Sequence, residues 1–518
     1  MRFLVNPQMI FSRWAAVFSA ALFLSGLANP RIQAQSPEVT PIGTRLELFE
    51  DTTLVERMSG VTLQLHQPIP AETVLKFDAP WEGNGNHYIT VLKDGDLYRM
   101  YYRSVPGTVP ASGDGWALYV AYAESRDGIH FIKPNLGLVE YNGSKANNLI
   151  WGTGSVPGPQ QHTAKRKPSP WTLPAANFTP FIDTNPDALP SERYKATGGI
   201  GAGHYALVSS DGIHWTQKSE TPIIAQEVRP TPNNLFDSQN SIFWDTVQKQ
   251  YVAYLRDSYP LPGNGESTRA TRRATSKDFM NWSDPEWISY GDQPINQFYT
   301  NAITPYFRAP HIYVGFPMRF LLSRNAKLPD EYNALRGKGL SDSVFISSRD
   351  GKNWSRRFLD AFIPPGPDIL NWTDRNNTVS LGLVPTGAGE MSVYYLQHFR
   401  LPTNHVRRGV LRVDGLVSAH APYGGGEVVT KPITFTGRKL IVNYATSAAG
   451  SLRVELQDAA GRPLPGCALK DSVDMFGDSI AQEFTWDGGS DLSRWAGSPV
   501  RVRFVMKDAH LYSYQFKD

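Results

Sequence analysis

The sequence has little cysteine and few of the motifs that identify common enzyme classes. Its 518 residues contain one cysteine, Cys467, which excludes an intramolecular disulfide and a cysteine-based metal site. No His-Glu-x-x-His, Gly-x-Ser-x-Gly or P-loop motif occurs, which argues against zincin proteases, α/β-hydrolases and P-loop nucleotide hydrolases. The 11 histidines show no spacing typical of metal ligands. The sequence therefore predicts no cofactor and no metal.

Excess charge of either sign is also missing. The chain has 51 basic and 48 acidic residues. Arg2, Arg13 and Arg31 lie in the first 34 residues, which contain no acid, so the rest of the chain has 48 of each. A neutral chain does not favour nucleic acid as a partner.

Residues 1–34 have the pattern of an export signal. Arg2 and Arg13 precede an apolar run at 14–27, and small residues follow as far as Ala34. The run is too short for a typical transmembrane helix. We therefore expect a cleaved signal peptide and a secreted or periplasmic protein without a membrane partner. An uncleaved N-terminal anchor is the alternative.

A short turn motif recurs four times along the chain. It reads SRDGIHF at 125–131, SSDGIHW at 209–215, SKDFMNW at 276–282 and SRDGKNW at 348–354. Recurrence at roughly 70-residue intervals indicates an array of similar units. Because Asp caps turns and an aromatic side chain can pack beneath, we interpret the motif as structural.

The segments between these turns are typical of β-strands, and long helical periodicity is scarce. About five units of about four strands each predict a five-bladed β-propeller over residues 35–405. The segment 46–68 is predicted to supply a strand that closes the ring. Residues 406–518 alternate apolar and polar side chains and predict an antiparallel β-sandwich, an accessory domain. The predicted fold class is all-β.

An exported five-unit propeller followed by a β-sandwich resembles the superfamily of glycoside hydrolase families 32 and 43. The segments LFEDTTLVE (48–56), WEGN (81–84) and FDSQNSIFWD (236–245) are similar to an exported, family 32-like group. The Trp-Met-Asn-Asp-Pro, Arg-Asp-Pro and Glu-Cys motifs of family 32 are absent. The resemblance implies a glycoside hydrolase that acts on a poly- or oligosaccharide.

Glycoside hydrolysis ordinarily needs two carboxyl groups, one acid and one base or nucleophile. The inner strand of each propeller blade begins at the axial channel, so acids near those starts are the candidates. The predicted catalytic residues are Glu82, Asp183 and Asp237. Two of them would serve as acid and base or nucleophile, and the third would orient the substrate.

Polar and aromatic residues near the same strand starts are candidates for substrate binding. Amides bind hydroxyl groups, arginine binds carboxylate or sulfate, and aromatic rings stack on sugars. The predicted binding residues are Trp81, Asn84, Gln239, Arg256, Asp257, Asn301, Arg308, His311, Arg319, Asp374 and Arg375. Tyr299, Tyr306 and Trp372 are further candidates for stacking.

Two other functions fit parts of the pattern. One is a sialidase-like hydrolase of an acidic sugar, with Arg256, Arg308 and Arg319 as its arginine cluster. The other is a non-catalytic carbohydrate-binding propeller, which would keep the aromatic and arginine residues but need no paired acids. The sequence leaves the sugar, the linkage and the oligomeric state open.

Overall fold

The computed structural model describes residues 38–108, 117–155, 176–199, 203–225, 236–261, 267–294, 296–335 and 337–518. Within these ranges the chain consists of strands, turns and five short 3-10 helices: Pro190–Glu192, Asp330–Leu335, Ile369–Asn371, Leu469–Asp471 and Ser493–Trp495. None of the described helices is long and apolar enough to cross a membrane. The all-β prediction is confirmed. The predicted export signal at 1–34 lies outside the described residues.

The propeller blades are antiparallel sheets, numbered one to five along the chain. Blade one contains His87–Asp94, Leu97–Ser104, Ala117–Ser125 and Leu149–Ser155. Blade two contains Thr179–Ile182, Tyr194–Gly198, Gly203–Ser209, Thr216–Gln217 and Ile224–Ala225. Blade three contains Ser241–Asp245, Gln250–Pro260, Ser267–Ser276 and Glu286–Trp287. The first strand of each is the inner one.

Blades four and five depart from this simple pattern. Blade four contains Thr304–Tyr306, Ala309–Gly315 and Ile346–Ser348, and it carries a second sheet of Gln297–Phe298, Met318–Asn325 and Lys338–Ser343. Blade five contains Val384–Pro385, Glu390–Gln397 and His405–Arg412, followed in space by Ile69–Lys76. The outer strand of the last blade therefore comes from a segment that precedes the first blade.

The first and last blades are joined along their inner strands. Leu381 accepts a hydrogen bond from the Val91 amide at 2.8 Å and donates its own amide to the Ile89 carbonyl at 2.9 Å. The inner strands of blades one and two, two and three, and three and four also contact each other. The strands thus surround a common axis.

Ten further strands form a sandwich around a separate apolar core. They are Thr40–Gly43, Glu47–Leu48, Val55–Ser59, Thr62–Leu65, Val417–Ala421, Gly426–Thr430, Ile433–Phe435, Lys439–Asp458, Asp478–Glu483 and Val500–Lys517. The two longest strands pair along their length, and the pairing is antiparallel except between the first strand and Ile433–Phe435. Phe435 stacks on Phe516 in the core, where Cys467 is also buried.

The structure corrects two details of the predicted organisation. The segment 46–68 does not close the propeller, because its strands pair within the sandwich, and the adjoining strand Ile69–Lys76 closes the ring instead. The predicted boundary at 405/406 falls at the start of His405–Arg412, which belongs to blade five. Both differences arise because alternation identifies a strand without identifying its partner.

The recurring turn links neighbouring blades. The Asp211 carboxylate accepts the amides of Ile213 and His214 at 2.9 and 2.8 Å, as an Asx turn does. The carbonyl of the next residue, Gly212, accepts the hydroxyl of Tyr101 from blade one at 2.9 Å. Tyrosines of blades three and five make the same bond to Gly351 and Gly128. The geometry agrees with the structural interpretation of the motif.

Gly212→Ala is expected to lower the free energy of unfolding by about 2 kcal/mol. Gly212 has a φ of 78°, and a Cβ there would stand 2.7 Å from the Tyr101 hydroxyl. Gly291 has a φ of 59° and open space around it. Gly291→Ala should therefore cost only the backbone strain, about 1 kcal/mol. Urea unfolding of both variants checks the difference, and equal costs would contradict a role for the tyrosine contact.

Candidate functional site

Two tyrosines from different sides of the propeller meet on its axis. Tyr88 lies at the start of the inner strand of blade one and Tyr299 precedes that of blade four, with their hydroxyl oxygens 2.7 Å apart. Blades one and four are not neighbours in a ring of five, so this hydrogen bond crosses the central channel. Gln239 of blade three crosses it too, donating to the Ile89 carbonyl at 2.8 Å and the Thr90 hydroxyl at 2.9 Å. These contacts bridge the channel.

The residues gathered around this tyrosine pair are called the axial cup. They come from blades one, three, four and five: Tyr88, Arg103, Asp237, Arg256, Arg269, Tyr299 and Arg375.

The entrances to the inner strands are held in strained conformations. Four residues other than Gly or Asn have left-handed backbone there: Tyr88 (φ 55°), Phe236 (φ 70°), Ala302 (φ 44°) and Arg375 (φ 60°). Such residues cost about 1 to 3 kcal/mol each and persist where surrounding structure enforces them, often at functional sites. Here they fix the backbone that carries Tyr88, Asp237 and Arg375.

Asp237 is the predicted catalytic acid that faces solvent. Its side chain is 40% exposed, whereas the neighbouring Arg256 is 3% exposed, and Arg256 Nη1 lies 3.7 Å from the carboxylate. The backbone amide of Phe236 donates to the Arg256 carbonyl at 2.9 Å, which fixes the two residues relative to each other. An accessible carboxylate beside a buried cation is thus placed next to the tyrosine pair.

Guanidinium groups surround both tyrosine rings. Arg269 and Arg375 each lie 5.5 Å from the centre of the Tyr299 ring, and Arg256 lies 5.8 Å from it. Arg103 lies 4.6 Å from the Tyr88 ring. Burial, followed by the charge of Arg256, lowers the pKa of Arg269. The cup is therefore a crowded, cationic environment.

The arginines of the cup also affect the pKa of His87. Burial, followed by the charges of Arg103 and Arg375, holds the pKa of His87 well below its ordinary 6.5. A neutral imidazole carries one proton, and Nδ1 donates it to the Gly85 carbonyl at 2.9 Å. Nε2 can then accept from Arg103 Nη2 at 2.7 Å.

Asp374 holds two arginines, Arg400 and the cup residue Arg375. Its side chain is 5% exposed, and it accepts a 2.6 Å hydrogen bond from Arg400 Nη1. Arg375 Nε lies 3.7 Å from the other oxygen. A Cβ on Gly337 would stand 1.9 Å from the carboxylate, so the 337 backbone packs directly over this pair. Asp374 thus positions arginines and is not itself accessible.

Glu82 is not part of the axial cup. Its side chain is fully buried, and it accepts hydrogen bonds from the Tyr102 hydroxyl at 2.5 Å, Lys133 Nζ at 2.6 Å and the Ala79 amide at 3.0 Å. These partners all belong to blade one and its loops. Glu82, predicted as one of three catalytic candidates, therefore closes a buried network and is not placed with Asp237.

Both carboxylate oxygens of Asp183 also accept hydrogen bonds from neighbouring residues. Its carboxylate, with no exposed side-chain surface, accepts Lys195 Nζ at 2.6 Å and the Tyr251 hydroxyl at 2.7 Å. The Asn185 amide donates to its other oxygen at 2.9 Å. Since Tyr251 belongs to blade three, Asp183 joins blades two and three. Asp183 therefore offers no exposed carboxylate surface for any of the three predicted roles.

Most of the other predicted binding residues make contacts outside the axial cup. The arginines and Asp257 each have a partner of opposite charge: Arg308 with Asp414 (2.6 Å), Arg319 with Asp342 (2.5 Å) and Asp257 with Arg272 (3.4 Å). His311 Nε2 lies 3.5 Å from Glu47 Oε1. The uncharged ones make hydrogen bonds: Trp81 to Asn148 (2.7 Å), Asn84 to the Arg400 carbonyl (2.6 Å) and Asn301 to the Tyr254 carbonyl (3.1 Å). Tyr306 donates to Asp414 and Trp372 to the Gly366 carbonyl. The cluster of Arg256, Arg308 and Arg319 is therefore not formed.

The structure brings together Asp237, Gln239, Arg256, Arg375 and Tyr299 from the predicted set. Tyr88, Arg103 and Arg269 were not among the predicted residues. Tyr88 carried a usable signal, because it stands at the start of the first inner strand. Arg103 and Arg269 lie on second and third strands, where alternation alone gives no reason to select them.

Among the described residues, no group of three His, Cys, Asp or Glu side chains is placed to hold a metal ion.

Comparison with known proteins does not assign the chain to a family. No protein-family model matches it, and no curated protein matches it. Solved structures that align with it include a glycoside hydrolase (12% identity, 67% of this chain and 92% of that one, TM-score 0.45). A glycosyl hydrolase from Bacteroides ovatus aligns over 71% and 93% (14% identity, TM-score 0.39). A fructofuranosidase from Schwanniomyces occidentalis, complexed with fructosylnystose, aligns over 87% and 100% (11% identity, TM-score 0.35).

Proposed function

We propose that this chain is an exported glycoside hydrolase that cleaves a poly- or oligosaccharide at the axial cup. The observation that carries the proposal is the position of Asp237, an accessible carboxylate beside a tyrosine pair at the meeting point of several blades. Export is supported by the pattern of residues 1–34. The resemblance of the sequence to family 32-like proteins favours the same chemistry.

Hydrolysis requires a proton for the departing sugar and a hydroxyl for the anomeric carbon. The anomeric C–O bond breaks, the leaving oxygen takes a proton, and water supplies the hydroxyl. Asp237 is the group that exchanges this proton, because its carboxylate reaches solvent while Asp374 is buried. General acid–base catalysis of this kind contributes about 10²- to 10⁴-fold in rate.

The tyrosine pair supplies the second set of polar atoms at the reaction centre. Burial, followed by the proximity of Tyr299 and Asp237, raises the pKa of Tyr88 well above its ordinary 10. Tyr88 therefore remains a neutral phenol at neutral pH, able to donate or accept one hydrogen bond. The surrounding guanidinium groups would stabilise negative charge that develops on an oxygen beside it.

A carbohydrate-binding propeller without activity is the second candidate. One observation favours it: Asp374, the carboxylate beside Arg375, is 5% exposed, whereas Asp237, beside Arg256, is 40% exposed. A two-carboxylate mechanism would need another accessible acid. Measurement of activity separates the two functions.

Asp237→Asn is expected to reduce cleavage at least about 100-fold without changing thermal stability. We would incubate the wild type and this variant with plant, algal and bacterial polysaccharides and identify released sugars by mass. Asp284→Asn, at an exposed position, is the control and should behave as wild type. Equal cleavage by Asp237→Asn would remove Asp237 from the mechanism. Glycan binding without cleavage by the wild type would favour the binding function.

A further inference from the structure

Arg375 offers an accessible guanidinium group that has no hydrogen-bond acceptor among the described residues. Its side chain is 27% exposed, and its contact with a described carboxylate is the 3.7 Å approach to Asp374, too long for a hydrogen bond. It lies between aromatic rings, 5.5 Å from Tyr299 and 5.7 Å from Phe399. Arg375 has a backbone φ of 60°, a left-handed conformation that is strained for a residue other than glycine.

Two neighbouring arginines have donors left over as well. Nε of Arg269 and Nε of Arg400 are buried and make no hydrogen bond in the described part of the chain. Arg269 directs Nη1 at Gln297, and Arg400 directs Nη1 at Asp374. A buried donor without a partner costs about 1 to 3 kcal/mol, so such groups usually serve a purpose.

The carboxylates that act on these arginines leave the cluster cationic. Asp374 lies beside Arg375 and Arg400, and Asp237 lies beside Arg256. Asp374 is engaged by Arg400, and Asp237 faces solvent. An anion that enters the cup would therefore gain an attraction that a neutral molecule would not.

We propose that the axial cup binds its saccharide through an anionic group on the sugar, a carboxylate or a sulfate ester, held by Arg375 and Arg269. The planar guanidinium fork matches the paired oxygens of either group. This assignment rests on the proposed function, in that the ligand is taken to be a saccharide. The sialidase-like alternative also had an acidic sugar as its substrate, but it used Arg256, Arg308 and Arg319. The present proposal assigns the acidic group to Arg375 and Arg269.

The arrangement also separates recognition from chemistry. Arg375 belongs to blade five and Asp237 to blade three, while both approach the Tyr88 and Tyr299 pair. A sugar anchored by its anionic group at Arg375 would place its ring over the tyrosines. Its glycosidic bond would then extend toward Asp237.

Calorimetric binding of matched oligosaccharides tests the proposal. One pair is oligogalacturonate and its carboxyl-reduced form, and the other is a sulfated galactan oligosaccharide and its desulfated form. Each pair keeps the sugar backbone and linkage while removing the charge. At least one charged member should bind about 10- to 100-fold more tightly than its neutral twin, and the preference should shrink as salt is raised. The pair that shows the preference identifies the anionic group.

Variants place that preference at the cup. Arg375→Gln should remove most of it, while Arg375→Lys should retain part. Arg357→Gln, at an exposed position that follows the last strand of blade four, is the matched control and should bind as wild type. Melting temperatures show whether each variant is folded. If Arg375→Gln does not fold, two measurements still test the proposal. They are the affinities of Arg269→Gln and of the wild type for the charged and neutral members of each oligosaccharide pair.

The outcomes separate this inference from the proposed function. Tighter binding of a charged twin without cleavage would sustain the anionic ligand and overturn hydrolysis. Cleavage of neutral glycans, with no preference for charge, would sustain hydrolysis and overturn the anionic ligand. Failure of every charged oligosaccharide to bind more tightly than its twin overturns the inference, as does an unchanged preference in a folded Arg375→Gln variant.

Discussion

Asp183→Asn is expected to lower the free energy of unfolding by about 3 kcal/mol or more. Asp183 and Lys195 are both buried, with side chains 0% and 5% exposed, and their charged atoms lie 2.6 Å apart. Removing the carboxylate charge leaves the ammonium group without its main partner and weakens the hydrogen bond from Tyr251 of blade three. Glu192, 3.6 Å from Lys195, would compensate in part.

Urea unfolding measures this loss, and Asp187→Asn serves as its control. Asp187 is exposed in the same loop, so its substitution should leave stability unchanged. The comparison with Asp237→Asn is equally informative, because that variant should lose activity and keep stability. If Asp183→Asn folded as stably as the wild type, the buried pair would contribute nothing to the junction of blades two and three.

Glu50→Gln is expected to stabilise the protein by about 3 kcal/mol at pH 7. Glu50 is 2% exposed, and neither of its carboxylate oxygens makes a hydrogen bond in the described structure. Arg349 approaches it to 2.9 Å but directs Nε at Asp51 and Nη1 at Glu47. Burial therefore dominates and raises the pKa of Glu50 from 4.5 to about 8, against the opposing charge of Arg349.

The sign of the pH dependence follows from that shift. Because the pKa of Glu50 is higher in the folded chain, its contribution to stability is fully present below pH 4.5 and is lost as pH rises toward 8. Glutamine does not titrate, so the variant and the wild type should be equally stable at pH 4 and diverge above it. Unfolding at pH 4, 7 and 8 measures the divergence.

A neighbouring substitution should act in the opposite direction. Asp51 accepts a 2.8 Å hydrogen bond from Arg349 Nε, so Asp51→Asn should destabilise the protein at pH 7. Equal stability of Glu50→Gln and wild type at pH 8 would show that Glu50 is ionised beside Arg349 without cost.

The propeller was predictable because its signals are local and repeated. Each recurring turn contains its own cap, with Asp211 bonded to amides two and three residues on, so a short window of sequence suffices. The strand-rich segments between turns then fixed the number of units. The closing strand was misplaced by a few residues because 46–68 and 69–76 have similar strand character and differ in partner.

The site was less predictable because charge pairing is not local. Glu82 and Asp183 looked like catalytic acids in sequence, yet their partners Lys133 and Tyr251 lie 51 and 68 residues further along the chain. Asp237 differs from them because its side chain remains exposed to solvent after folding. Tyr88 and Tyr299 are separated by 211 residues, and only the closure of the ring brings their hydroxyl groups together.

The pairing of the earliest strands with the latest ones constrains when the protein can acquire its structure. Ile69–Lys76 pairs with His405–Arg412, and Glu47–Leu48 pairs with the end of Val500–Lys517. The propeller cannot be completed before His405–Arg412 has been synthesised, nor the sandwich before Val500–Lys517, and such long-range pairing is slow. Until then the unpaired strands need protection from aggregation. Assembly is thus coupled to the arrival of the final strand.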